Sequence, residues 1–192
     1  MKDSGVEWIG EIPEHWEVRP LQMVASVLDP FPSHRAPPIT DDGFPYPGIG
    51  DLDKNGNLIG NCRTVSETAL KEQESRFKID LGDLAFARVA TLGKIIHLRN
   101  DFRYCLSPTM AVLKPKINSL YLSYTLEARY FQEQLTIVST GSTRYAVGIM
   151  TLRKLKVVLP PKEEQKQIDN FLQKETTQLD DLISKSQSQI KM

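Results

Sequence analysis

The chain has 192 residues, 40% of them hydrophobic, with 24 basic and 24 acidic side chains and a formal net charge of zero. That supports one cored domain with an appended element. It argues against a membrane span, a signal peptide, a disulfide framework and a clustered metal site: no apolar run is long enough to cross a bilayer, Met1-Lys2-Asp3-Ser4-Gly5 lacks the charged-then-apolar pattern, and Cys62, Cys105, His15, His34 and His97 fall in no zinc spacing. Both cysteines read as reduced thiols, and the protein as cytoplasmic.

Trp8, Trp16, Val18 and Leu21 describe an apolar leading segment that packs onto the domain, followed by a short helix or strand up to Leu28. Six prolines lie between Pro30 and Pro47. Each removes an amide donor and fixes φ, so an irregular, stiff loop is expected. Tyr46-Pro47-Gly48-Ile49-Gly50-Asp51-Leu52 then leads into Asp53-Lys54-Asn55-Gly56-Asn57, whose Asn-Gly step predicts a hairpin. Thr64, three residues before Glu67, predicts a capping box that opens a short polar helix through about Ser75. A turn at Leu81-Gly82-Asp83 introduces the buried strand Leu84-Ala85-Phe86-Ala87, and Ile95-Ile96-His97-Leu98 and Met110-Ala111-Val112-Leu113 are further strands.

One helix is expected after Asn118 or Ser119, with Leu120, Tyr124, Phe131 and Leu135 on one face. The polar loop Ser139-Thr140-Gly141-Ser142-Thr143-Arg144-Tyr145 follows, then a last strand from Leu155 to Leu159. Pro160-Pro161 marks a boundary, Pro161 suiting the first turn of a helix. Beyond it no Gly or Pro occurs up to Met192. Ile168, Leu172, Glu175, Leu179, Leu182, Ser186 and Gln189 follow the alternating spacing of a heptad seam, widened by Phe171, Ile183 and Ile190. Such a helix extends roughly 45 Å, too long to bury on one small domain, so it needs a partner helix. The expected class is α+β: a globular head over residues 1–159 with a mixed β-sheet and short helices, then a long coiled-coil helix over residues 160–192.

The charge is unevenly distributed. Residues 1–62 carry 4 basic and 10 acidic groups, residues 63–116 carry 10 and 6, and residues 117–161 carry 5 and 2. A basic middle permits a local phosphate-binding face, and equally a merely solvated surface. A DNA reader needs cations for phosphates, hydrogen-bonding groups for base edges, and apolar groups for sugars and thymine methyls. Ser142, Thr143, Arg144 and Tyr145 supply that set on one loop, with Gly141 allowing close backbone approach; an ordinary polar surface loop has the same composition.

Arg88, Thr91 and Lys94 follow a core strand around Gly93, and Arg88 reads either as a DNA contact or as a structural ion-pair partner. The Ser33-His34-Arg35 tip of the proline-rich stretch is a third candidate, beside its reading as a solvent loop. Asp51 and Asp53 lack a third acidic ligand for Mg²⁺, and a turn role for Asp53 is simpler. No glycine-rich phosphate loop or methyl-donor motif is present, so no cofactor and no catalytic residue are expected.

Four pieces occur in order: Gly5-Val6-Glu7-Trp8-Ile9-Gly10-Glu11-Ile12-Pro13-Glu14-His15-Trp16; Leu81-Gly82-Asp83-Leu84-Ala85-Phe86-Ala87-Arg88; Gly141-Ser142-Thr143 followed by Leu155 to Leu159; and Leu159-Pro160-Pro161-Lys162-Glu163-Glu164-Gln165-Lys166-Gln167-Ile168. Singly each is weak. In this order, ahead of a long helix, they resemble the specificity (S) subunits of type I restriction–modification systems. The resemblance implies two target-recognition domains held apart by two antiparallel helices, each domain reading one half of a bipartite DNA site. This chain holds one such domain and one such helix.

The resemblance further implies double-stranded DNA, methyltransferase (M) subunits and restriction or motor (R) subunits as partners, with catalysis residing in those subunits. DNA contact is then expected at His34, Arg35, Arg88, Thr91, Lys94, Ser142, Thr143, Arg144 and Tyr145. Self-association is expected through Ile168, Phe171, Leu172, Leu179, Leu182 and Ile183, two copies packing antiparallel and reading a bipartite palindrome. Two other readings stand beside it: a protein-interaction adaptor whose coiled coil is the functional element, and a detached recognition domain of a fused restriction-methyltransferase, against which the N-terminal Met and N-terminal motif weigh.

Overall fold

The computed structural model describes residues 1–33, 35–139 and 146–190. In chain order the elements are β1 (Lys2–Asp3), β2 (Glu11–Ile12), β3 (Glu17–Pro20), α1 (Leu21–Val24), β4 (Ala25–Leu28), β5 (Ile39–Thr40), β6 (Phe44–Pro45), β7 (Thr64–Val65) and α2 (Glu67–Arg76). They continue with β8 (Leu84–Ala87), β9 (Ile95–His97), β10 (Met110–Pro115), α3 (Ser119–Glu127), α4 (Arg129–Ser139), α5 (Ile149–Lys154), β11 (Lys156–Leu159) and α6 (Lys162–Ile190). No helix among the described residues is long and apolar enough to cross a membrane.

The centre is a four-stranded sheet in the order β4-β10-β8-β9. The α+β class holds, although every strand pairing among the described residues is antiparallel rather than mixed. Side chains alternate across a strand, and the two buried faces follow from that period. Leu84, Phe86, Ala111 and Leu113 face α1, α3, α4 and α5 through Leu21, Leu122, Leu126, Phe131 and Leu152. Ala85, Met110 and Val112 face the other way, onto Leu52, Leu98, Tyr104 and Leu106. Because β8 and β10 are covered on both sides, they read in sequence as continuous apolar runs. A third cluster joins α2 to the small β5-β7-β6 sheet through Tyr46, Val65, Leu70 and Cys105.

Three local expectations change. The cap of α2 is Ser66, whose hydroxyl accepts from the Ala69 amide, while Thr64 lies in β7 and donates to the Thr40 carbonyl at 2.5 Å. The pairing of β7 with β5 claims Thr64 first, so the capping box does not form. The single helix expected after Asn118 is two: Asn118 caps α3, but Ala128 leaves the helical region at φ −63°, ψ 146°, and α4 restarts at Arg129. The break lets Phe131 and Leu135 turn into the core. The expected hairpin is reduced to a single bridge between Leu52 and Leu58, closed by Gly56 at φ 77° and by the Asp53 carboxylate, which accepts from the Asn55 and Asn57 amides.

The last strand of the head, β11, pairs with β3 near the start of the chain. Val158 in β11 is held by two tyrosines: its carbonyl accepts from Tyr121 Oη at 2.9 Å, and its amide donates to Tyr130 Oη at 3.1 Å. From this clamp α6 departs. Gln165 Nε2 donates to the Pro160 carbonyl at 2.8 Å, its Oε1 accepts from the Asn118 amide at 3.3 Å, and Trp16 Nε1 donates to Glu164 at 2.7 Å. The root of the long helix is thereby bolted to both ends of the head.

Candidate nucleic-acid interface

Segments bordering the three loop regions singled out in the sequence meet at one junction, Arg88. This residue follows β8 and is only 6% exposed. Its guanidinium donates to the Pro108 carbonyl at 2.8 Å and the Met110 carbonyl at 3.2 Å, and lies 3.5 Å from the Asp29 carboxylate. Asp29 begins the proline-rich segment, where it also accepts from the Phe31 amide. The Arg88 carbonyl accepts from the Val147 amide at 3.0 Å, and Val89 bridges Ala146, so the residues that follow the polar loop are held here. Arg88 itself opens the β8–β9 loop. One side chain and its own peptide unit therefore hold the start of the proline-rich segment, the start of the β8–β9 loop and the stretch Ala146-Val147.

Of the two readings open for Arg88, DNA contact and structural ion pair, this geometry is that of the second. Its guanidinium is directed inward, onto Pro108, Met110 and Asp29. Burial lowers its basicity while the Asp29 charge raises it, and burial is the larger effect. A guanidinium in that setting remains charged, because its reference pKa is so high.

Thr91 and Lys94 are exposed on the same loop. Lys94 Nζ donates to the Ile49 carbonyl at 3.0 Å, which holds the ammonium against the neighbouring loop while leaving it in water. Gly93, at φ 85°, is pressed so closely on Gln132 that a Cβ would come within 2.5 Å of its Oε1. The base of the loop is thus rigid on both limbs. Arg35 is exposed beyond Ser33 in the proline-rich segment. His34, Ser142, Thr143, Arg144 and Tyr145 lie outside the described residues.

Sequence reasoning missed two features. Arg63 places its guanidinium 5.6 Å from the centroid of the Tyr46 ring, an exposed cation ordered by an aromatic face. Ala90 is the one non-glycine among the described residues with positive φ, at 65°. Neither is signalled locally: the Arg63 contact depends on the pairing of its segment with Tyr46, and the conformation of Ala90 on the pinned limbs of its loop. Among the described residues no group of three or more His, Cys, Asp or Glu side chains could hold a metal ion.

The second candidate surface is α6. Ile168 and Leu172 lie half-buried against Trp16, Tyr121 and Tyr124 of the head, around an apolar hollow of about 260 Å³. Phe171, between Ile168 and Leu172 in sequence, is 62% exposed, and further along Leu179, Leu182 and Ile183 are 58%, 59% and 53% exposed. The six expected partner-helix residues thus divide into two packed on the head and four open to the outside. At the root Asp169 is 3% exposed, and burial pushes its carboxyl pKa up. Glu164, at the surface, is shifted the other way by its bonds from Trp16 and His15.

Comparison with known proteins follows the same outline. The family described as the type I restriction modification DNA specificity domain matches residues 13–192. The chain is 27% identical over 206 residues to the putative type I restriction enzyme MjaX specificity subunit of Methanocaldococcus jannaschii, covering 96% of this chain and 44% of that protein. It is 25% identical over 184 residues to the MjaIX specificity subunit of the same organism, covering 94% and 41%. Among solved structures, a chain from work on complex assembly and conformational transition of the type I R-M system superposes with a TM-score of 0.67 at 20% identity, covering 90% of this chain and 41% of that one. The HsdS subunit from Thermoanaerobacter tengcongensis superposes with a TM-score of 0.63 at 19% identity, covering 90% and 40%. The chain spans less than half the length of each of these proteins. With the match extending over both the head and the long helix, the chain belongs to the family of type I restriction modification DNA specificity domains.

Proposed function

We propose that this chain is a non-catalytic recognition subunit that reads a DNA sequence with its head, residues 1–159, and assembles through the helix that follows. The observation that carries the reading is the meeting at Arg88 of the start of the proline-rich segment, the start of the β8–β9 loop and the stretch after the polar loop, in a chain of this family. Proteins that read bases hold their reading segments in a fixed relation, because ordering them on binding subtracts from affinity. Lys94 and Arg35, both exposed, supply cations, and the polar loop adds Arg144 by its sequence; Thr91, Ser142, Thr143 and Tyr145 supply groups for base edges.

The chain directs methyltransferase subunits, and restriction or motor subunits where these are present, to the site it reads. It carries one head and one helix, and the apolar stripe of α6 continues from the packed root onto open surface. Two copies packing that stripe antiparallel would set two identical heads in inverted orientation, so the target is a bipartite palindrome.

Reconstitution tests this. The chain alone, supplied with S-adenosylmethionine and mixed-sequence DNA, transfers no methyl groups, and the methyltransferase subunit alone transfers few. Together they label the DNA. Labelling by the methyltransferase that is unaffected by this chain contradicts the proposal.

A further inference from the structure

The tip of the β8–β9 loop carries a methyl group that the fold does not use. Seven described residues have left-handed φ, and six are glycines: Gly5, Gly10, Gly56, Gly60, Gly82 and Gly93. The seventh is Ala90 at φ 65°. A side chain there clashes with its own backbone, so glycine is the unstrained choice. Burial does not compensate for the strain, because Ala90 is exposed. Nor does the loop lack freedom to use glycine, since Gly93 stands three residues on.

The strained methyl is held in a fixed place. Arg88 fixes one limb of the loop through Pro108 and Met110. Gly93 fixes the other, its amide donating to the Ala87 carbonyl at 3.0 Å. Thr91, next in sequence, is exposed as well, so the tip offers two methyl groups and one hydroxyl to the outside. The two residues border a hollow of about 270 Å³ shared with Gln132 and Leu135 of α4. Strain retained at an exposed, rigidly supported position points outward, to a ligand.

We infer that Ala90 and Thr91 form a specificity-determining pair that reads the C5-methyl of a thymine in the major groove. The inference rests on the DNA-reading proposal above. Apolar contact with that methyl is what distinguishes T from C at the pyrimidine C5 edge, and alanine and the threonine methyl both suit it. The Thr91 hydroxyl can in addition donate to O4 of the same base. Such a contact explains an alanine where glycine would relieve the backbone.

The test uses the full chain with its methyltransferase subunit and a duplex enriched from a random library. Each thymine of that duplex is replaced in turn by uracil, which keeps every hydrogen-bonding group and lacks only the methyl. Wild type is expected to lose about fourfold in affinity at one thymine per half-site, the value of one buried methyl-sized group. Ala90→Gly is expected to unfold at the same or higher temperature and to bind the thymine and uracil duplexes alike at that position. Wild type that is indifferent to uracil throughout overturns the inference and leaves sequence-specific binding intact. A wild-type complex that enriches no duplex from the library contradicts the DNA-reading proposal and this inference with it.

Discussion

Arg88 holds a permanent charge at 6% exposure, which is tolerable only because carbonyls and a carboxylate replace the water it loses. Removing the side chain strands those acceptors and loosens the junction of three segments. Arg88→Ala is therefore expected to lower the free energy of unfolding by about 2–4 kcal/mol, read by urea denaturation, with Arg88→Lys in between because an ammonium cannot reproduce the fork. Lys94→Ala, by contrast, is expected to stay within about 0.5 kcal/mol of wild type and to weaken binding to every duplex alike, with a flatter salt dependence. An Arg88→Ala protein of unchanged stability and altered sequence preference would return Arg88 to the DNA-contacting set. The residue types of the candidate surface were legible in the sequence, but the role of Arg88 was not. Its partners Asp29, Pro108 and Met110 are distant along the chain, so nothing near position 88 distinguishes a buried fork from an outward cation. Ala90 was invisible for a similar reason, since its φ is imposed by the pinned limbs on either side of it.

At the scale of elements, α6 makes the sharpest demand. It has 29 residues, about 44 Å of helix, of which only the first turns are covered by the head. If Leu172 takes a heptad a position and Glu175 a d position, antiparallel pairing sets each a against a d of the second copy. Leu172 then faces Leu182 of the second copy, Leu179 faces Glu175 of the second copy, and Ile168 faces Ser186 of the second copy. The layers close on a single twofold axis, with an acidic group on either side of it. Leu179→Glu with Leu182→Glu is expected to weaken self-association by at least a hundredfold, roughly 3 kcal/mol or more of lost apolar burial. Glu175→Leu is expected to strengthen it, because it removes two buried carboxylates per dimer. Light scattering over a concentration series reads both, and a wild type that stays monomeric throughout contradicts self-pairing.

The helix itself was plain in the sequence, because an uninterrupted apolar period without Gly or Pro has few other solutions. The break at Ala128 was not, since nothing at Leu126-Glu127-Ala128-Arg129 is helix-breaking and the reason lies in where Phe131 must pack. Ser66 displaced Thr64 as the cap of α2 because tertiary pairing of β7 outranks a local motif.

For the whole molecule, short continuous apolar runs announced β8, β9 and β10, while the sheet order β4-β10-β8-β9 depends on pairings between distant segments that no local pattern records. The zero net charge is likewise a property of the whole that conceals a basic middle, a distribution that suits the proposed selective reading of DNA. Whether the proposed assembly reads sequence is measured by selection from a random duplex library with the full chain and its methyltransferase subunit. At moderate salt, enrichment of one bipartite site whose halves are inverted copies of each other is expected; that outcome is the proposal's. Recovery of the input library without enrichment would contradict it.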